Sequence, residues 1–500
     1  MKYISTRGWE GKATFSEAVR TGIAPDGGLF TPEGKVRTVG AADMAAMSSM
    51  DYRQRASVIL SRFIDEYSPD DLADCIRYAY GRGNFDTDEI APLFRLNEYI
   101  SVLELWHGPT SAFKDLALQI MPQFMTKAVK YTNDSSGILI LVATSGDTGK
   151  AALEGFKNVE GVKILVFYPD GGISEVQRMQ MVTQEGSNVE AVAVKGNFDD
   201  AQNGVKEIFA DAGMREKLAR AGYGFSSANS INWGRLVPQT VYYFSAYADL
   251  LKRKEIKNGD RINFVVPTGN FGNILAGYYA FKMGLPVNKL ICASNENKVL
   301  TDFINTGVYN SNRDFLKTIS PSMDILISSN LERLLFEITG HNDQIVSHWM
   351  KNLKIDGLYS IDGSTRKEIL NLFWAGSSSD AETINAIEDI YSEYGYLVDT
   401  HTAVGIDVYD KYVISTGDMT KTVVLSTASP FKFNRSVAEA VLGREAIEGL
   451  SEFEILEKLS DKTGNPVPPG LRGLDRRRIL HDKVCGREDM RAVVEAFLAR

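Results

Sequence analysis

Five short stretches of the chain carry residue types and spacings suited to chemistry, and the most consequential ends in a lysine. In His107-Gly108-Pro109-Thr110-Ser111-Ala112-Phe113-Lys114-Asp115 a Gly-Pro turn delivers Lys114 to the start of an amphipathic segment, residues 116–129, expected as one helix. A cation at the positive end of a helix is electrostatically misplaced. Its pKa should fall, which favours the neutral amine that condenses with an aldehyde cofactor. The plainer reading is a solvated lysine beside Asp115.

The other four stretches look like receptors for anions or polar ring atoms. Ala143-Thr144-Ser145-Gly146-Asp147-Thr148-Gly149-Lys150 offers hydroxyls and backbone N–H groups at a helix start, suited to a carboxylate or phosphate, although the same residues serve as ordinary caps. Pro267-Thr268-Gly269-Asn270-Phe271-Gly272-Asn273 has two glycines that let backbone approach an anion closely. It lacks the endings of a P-loop or a dinucleotide fingerprint, so it fits a small phosphate cup, or else a structural turn. Ser426-Thr427-Ala428-Ser429-Pro430 ends an apolar run and could turn a hydroxyl toward a heterocycle nitrogen or simply cap backbone. Residues 226–235 gather amides and hydroxyls, Ser230 and Asn232 among them, around Arg235 ahead of a long helix. That grouping suits bidentate recognition of phosphate, or a capped helix with a solvated arginine.

These stretches need a scaffold, and the apolar pattern supplies one. Strand candidates at 138–142, 162–167 and 189–194 alternate with helices beginning near 148, 173 and 198. A second series runs through 263–266, 290–293 and 422–425, again with helices following. Alternation of this kind predicts an α/β fold with two parallel sheets and a crevice between them. Ligands bind beyond the carboxyl ends of such strands, which is where the loops after Val142, Val266 and Leu425 lie. Residues 15–95 read as mostly helical and residues 441–500 as a charged helical tail broken by a Pro- and Gly-rich stretch at 465–473.

Composition narrows the class. The 500 residues carry a formal net charge of -9 with no basic block, which argues against nucleic acid or an anionic membrane as partner. Cys75, Cys292 and Cys485 are widely separated and show no CxxC spacing, so neither a disulfide framework nor a structural metal site is expected, and a reducing cytoplasm is. The first residues lack an apolar h-region, and runs such as 138–143 are too short to span a bilayer. Oligomeric state is not legible.

Taken together the motifs resemble those of the pyridoxal-phosphate enzymes of the tryptophan-synthase-β fold, or fold type II, and among them the threonine synthases. The pattern His-Gly-Pro-Thr-x-Ala-Phe-Lys-Asp stands at 107–115, Thr-Ser-Gly-Asp-Thr-Gly at 144–149 and Asn-Ser-Ile-Asn at 229–232. Gly-Asn-Phe-Gly-Asn stands at 269–273 and Ser-Thr-Ala at 426–428, with further similar stretches at 24–29, 320–325 and 399–404. The resemblance implies two parallel-sheet α/β domains with a mostly helical N-terminal accessory domain: 1–95 accessory, 96–135 with 236–440 the large cofactor-binding domain, 136–235 the smaller one, and 441–500 a helical tail.

It also implies roles. Lys114 becomes the Schiff-base lysine and catalytic base. Gly269, Asn270, Phe271, Gly272 and Asn273 hold the phosphate of pyridoxal 5'-phosphate, Asp147 contacts its ring 3'-hydroxyl, and Thr427 meets its pyridine nitrogen. Thr144, Ser145, Gly146 and Thr148 receive the substrate carboxylate, and Ser230, Asn232 and Arg235 its phosphate. The implied reaction turns O-phospho-L-homoserine and water into L-threonine and phosphate by γ-elimination and then addition of water. A related lyase on the same fold, such as a threonine or serine dehydratase or a phospholyase, is the alternative. Two residues depart from the family pattern: Lys150, which could assist phosphate binding or be solvated, and Ser429, where a histidine is common.

Overall fold

The computed structural model describes residues 1–144, 146–171 and 173–500. Two parallel sheets dominate it. The larger has six strands in the order Phe373–Ser377, Val287–Ser294, Ile262–Pro267, Thr422–Ser426, Ile100–Glu104 and Leu93–Arg95, parallel except at the last pairing, where Leu93–Arg95 runs antiparallel as an edge. The smaller has five parallel strands in the order Val484–Cys485, Val189–Val194, Val162–Pro169, Gly137–Ala143 and Tyr223–Ser226.

Their central strands are rich in Val, Ile, Leu and Phe because helices cover both faces and most side chains are enclosed. Leu139, Ile140, Leu141 and Val142 are fully buried, as are Phe264, Val265 and Val266. Short strands escaped the sequence reading: Ile100–Glu104, Tyr223–Ser226 and Phe373–Ser377 are five residues or fewer and carry Gly, Ser or Glu that dilute the apolar signal.

The helix expected over 116–129 is instead two, Asp115–Leu118 and Met121–Thr132. Pro122 is the cause: it has no N–H to give the Leu118 carbonyl, so the first helix ends where the ladder would have to continue. That freed carbonyl is packed closely, since a Cβ on Gly155 would lie 2.0 Å from it.

The N-terminal stretch forms the helices Phe15–Thr21, Ala41–Met47, Tyr52–Leu60 and Pro69–Ala79 beside an antiparallel pair, Tyr3–Ser5 with Phe30–Pro32. Phe15 meets Phe124 edge to face with ring centroids 5.2 Å apart. Residues 441–500 do more than form a helical tail. Val484–Cys485 joins the smaller sheet, with Ala193 N–H donating to the Lys483 carbonyl and Lys195 N–H to that of Cys485. An edge strand with unpaired backbone groups is a liability, and this pairing covers it.

Candidate active site

The site lies where the carboxyl ends of both sheets' strands meet. Strand Thr422–Ser426 runs out into Thr427-Ala428-Ser429, which pairs with the lysine loop: Phe113 N–H donates to the Thr427 carbonyl at 2.8 Å and Ser429 N–H to that of Ser111 at 3.0 Å. Asp115 braces the same loop from inside, accepting from the Thr110 N–H at 2.8 Å and the Thr110 hydroxyl at 2.7 Å. Its carboxyl is buried, and burial pushes its pKa up to about 6. A Cβ on Gly108 would strike that carboxylate, so the Gly-Pro turn depends on glycine there.

Lys114 emerges 8% exposed, its Nζ 3.2 Å from Asp147 Oδ2 and 3.4 Å from the Ser322 hydroxyl. Its pKa is lowered, as expected, but the helix dipole is not the reason: the helix it opens is only four residues long. Burial is the main cause, and the charges of Lys432 and Arg235 act in the same direction against the attraction of Asp147.

Asp147, the first residue of helix Asp147–Phe156, is the centre of the network. Oδ1 takes Gln177 Nε2 and Lys432 Nζ, each at 2.9 Å, while Oδ2 takes Lys114 and the Ser322 hydroxyl, the latter at 3.1 Å. Burial alone would raise its pKa, yet the two lysines hold it well below the usual carboxylate range. Lys432, Ser322 and Gln177 received no role from the sequence. Ser322 sat in a family-like stretch, but nothing about Lys432 in Pro430-Phe431-Lys432-Phe433 distinguished it from a surface lysine. The structure buries its side chain completely and adds a bond to the Thr110 carbonyl at 2.8 Å.

His401 was likewise passed over. Its Nδ1 pairs with Asp399 at 2.8 Å and its Nε2 accepts the Ser322 N–H at 3.1 Å, so the imidazole anchors Ser322 rather than facing Lys114 directly.

The glycine loop adjoins this cluster. A Cβ on Gly269 would lie 2.8 Å from the Ser322 carbonyl, so only glycine permits the approach. Phe271, at φ 61°, turns the chain into helix Gly272–Lys282, which has no side-chain cap. Among the described residues the N–H groups of 269–274 have no partner, and neither has the buried Nδ2 of Asn273, whose Oδ1 takes the hydroxyls of Tyr242 at 2.6 Å and Tyr243 at 3.0 Å. Residues 271–274 are buried, and buried donors are rarely left unpaired, so this cradle fits a bound phosphate. Ser230 stands beside it, its Cβ 3.7 Å from where a Cβ on Gly272 would lie. Arg235 is 5% exposed, gives one bond to the Ala228 carbonyl at 2.9 Å, and has no carboxylate partner among the described residues; burial lowers its pKa to about 10. Thr427 is buried with no side-chain partner among the described residues.

Thr144 braces its own loop: its Oγ1 accepts the N–H groups of Gly146 and Gly149, each at 3.0 Å, which occupies the Gly146 donor and leaves Thr144 its hydroxyl proton to give. Thr148, half-buried, keeps its hydroxyl, and Ser145 lies outside the described residues. Asn232 is wholly engaged, giving both amide protons to the carbonyls of Val19 and Ser227 at 2.9 Å and accepting from Gly234 N–H, so it shapes the loop rather than reaching a phosphate. Lys150 is not solvated; it is buried against Glu154, at 3.0 Å, and Gln184. Ser429 is buried and its hydroxyl caps the turn that carries Lys432. Among the described residues no group of His, Cys, Asp or Glu could hold a metal ion, and no helix is long and apolar enough to cross a membrane.

A buried lysine of lowered pKa, beside an unpartnered N–H cradle at the ends of parallel strands, defines a pyridoxal-phosphate-dependent enzyme of fold type II. The family model described as pyridoxal-phosphate dependent enzyme matches residues 89–348, flanked by matches to threonine synthase N terminus at 2–80 and threonine synthase, C-terminal at 402–478. The threonine synthase of Pseudomonas aeruginosa is 39% identical over 446 residues, covering 89% of this chain and 91% of that protein. Threonine synthase-like 1 of Homo sapiens is 40% identical over 444 residues, 87% of this chain, and the chain spans 59% of that protein's length. The solved structure of PLP-bound threonine synthase from Brucella melitensis superposes with a TM-score of 0.87 at 37% identity, covering 100% of this chain and 98% of that one. The chain belongs to the threonine synthase family.

Proposed function

We propose that the protein converts O-phospho-L-homoserine and water to L-threonine and phosphate. The observation that carries this is the adjacency of two unusual features through one residue: Ser322 touches Lys114 with its hydroxyl and closes on Gly269 with its carbonyl. An amine and a phosphate cradle at that separation suit one phosphorylated aldehyde. Pyridoxal phosphate, when bound, supplies the electron sink that makes loss of a Cα proton feasible.

The chain's own residues do the rest. The N–H groups of 269–273 and Asn273 Nδ2 would hold the cofactor phosphate, the Thr427 hydroxyl would serve its pyridine nitrogen, and Asp147 would serve its ring 3'-hydroxyl. Lys114 Nζ, whose pKa burial lowers, takes the proton from substrate Cα and returns protons during the later steps. Arg235, a buried guanidinium with donors to spare, binds the substrate phosphate with Ser230 and so sets which Cγ substituent leaves. Thr148 meets the substrate carboxylate at the helix start. Enclosure of the lysine, aspartate and arginine keeps bulk water from the reacting carbons until phosphate departs. We assign the reaction to the cytoplasm on the strength of three cysteines that are buried free thiols.

Incubation with phosphohomoserine tests the reading. Threonine and phosphate in equal amounts are expected; ammonia and 2-oxobutyrate would place the protein among the dehydratases or phospholyases. Borohydride reduction after loading with pyridoxal phosphate should mark Lys114 in the peptide map, and a mark elsewhere would remove the assignment.

A further inference from the structure

Lys432 is a second buried lysine in the site, and nothing in the reaction just described uses it. Its side chain is 0% exposed and has only two polar contacts among the described residues, Asp147 Oδ1 at 2.9 Å and the Thr110 carbonyl at 2.8 Å. Burying an ammonium costs several kcal/mol unless it is well paired, so this placement calls for an account. The division of Asp147 provides one. One carboxylate oxygen is held by Lys432 and Gln177, the other by Lys114 and Ser322.

Two cations therefore share one buried anion. If Lys114 alone faced Asp147, giving up its proton would strand a carboxylate in a dry pocket, and the pair would resist it. With Lys432 on the opposite oxygen, Lys114 can become neutral while a balanced Lys432–Asp147 pair stays behind. We propose that Lys432 is a positioning residue that retains the Asp147 charge and orientation, and so allows Lys114 to exist as the free amine. This rests on the reading of Lys114 as the amine that takes up the aldehyde.

The other groups facing the pair do not replace it. Arg235, on helix Trp233–Leu236, adds positive charge near Lys114 but bonds only to the Ala228 carbonyl. Near Lys432, Asp115 is committed to Thr110 and Lys150 to Glu154. His401 reaches the lysine only through Ser322.

The experiment reads the amine itself rather than turnover. Cofactor-free full-length protein is labelled with acetic anhydride across a pH series, and acetylation of Lys114 and the exposed lysines is quantified by peptide mapping. In the unaltered protein Lys114 should become reactive at lower pH than the exposed lysines of the same digest; a midpoint at or above theirs overturns the proposal. In Lys432→Met, and in Lys432→Gln, which keeps a donor without the charge, the Lys114 midpoint should rise by about one pH unit or more. Lys432→Arg should restore it. An unchanged or lower midpoint in either neutral variant that retains the native circular dichroism spectrum overturns the proposal, and the native Lys114 midpoint tests it even if neither folds. Failure of the functional reading is separate: unaltered protein whose Lys114 is not marked after pyridoxal phosphate and borohydride would refute that reading whatever the midpoints do.

Discussion

Lys114 and Lys150 are both buried lysines, each lies against one carboxylate, and burial lowers the pKa of each. Their surroundings differ in what remains unfilled. Lys150 is paired with Glu154 one helical turn along the same helix and with Gln184, a local pairing within the segment that forms the smaller sheet. Lys114 shares its carboxylate with a second cation and adjoins, through Ser322, a run of backbone N–H groups that nothing in the described chain satisfies. Burial and a depressed pKa do not by themselves make a lysine functional. Unsatisfied chemistry beside it does.

The contrast can be broken most severely at the lysine. Lys114→Ala should reduce turnover by about a thousandfold or more, since the group moving the Cα proton is gone; steady-state kinetics showing less than tenfold loss would erase the distinction from Lys150. Arg235→Met should come next, raising KM for the phosphorylated substrate by about a hundredfold through loss of charge-assisted bonds, measured with inorganic phosphate inhibition weakening in parallel.

A half-buried cation extends the comparison to stability. His107 is clamped between Asp86 Oδ1 at 2.5 Å and Glu104 Oε2 at 2.8 Å. Burial opposes its charge, but the two carboxylates prevail and raise its pKa to about 9. Because the folded value lies above the unfolded one, this stabilisation is fully present below about pH 6.5 and is lost as pH rises through about 9. Melting temperature should therefore fall over that window, by the equivalent of about 3 kcal/mol, and His107→Gln should flatten the slope. Gly269→Ala should be milder, weakening cofactor binding by about tenfold as the new Cβ pushes on the Ser322 carbonyl, read by equilibrium titration. Lys150→Met should be smallest in catalysis: it leaves Glu154, partly solvated, without its partner, so the melting temperature should drop while kcat stays within about threefold.

Local sequence was a good guide wherever a motif also dictates its own backbone. The glycine loop joins a strand to a helix within a few residues, and Asp147 begins a helix where a strand ends, so both are legible as patterns. It was a poorer guide to how hydroxyls and amides would be used. Thr144 and Asn232 look the same in a motif whether they face a ligand or cap backbone, and the structure chose capping for both. Pro122 was visible too, and its power to split the expected helix was overlooked in favour of the apolar period.

By itself the sequence determined the alternating α/β scaffold, the lysine, the loops at the strand ends and the family, because each depends on residues near one another in the chain. Tertiary structure alone decided which charges meet. Lys114 and Lys432 stand 318 positions apart and converge on Asp147, while Ser322 and His401 arrive from still other segments. Electrostatic effects fall off with distance in space and grow as water is excluded. Neither quantity is carried by the order of residues, so a buried lysine reads like a surface one until the chain is folded.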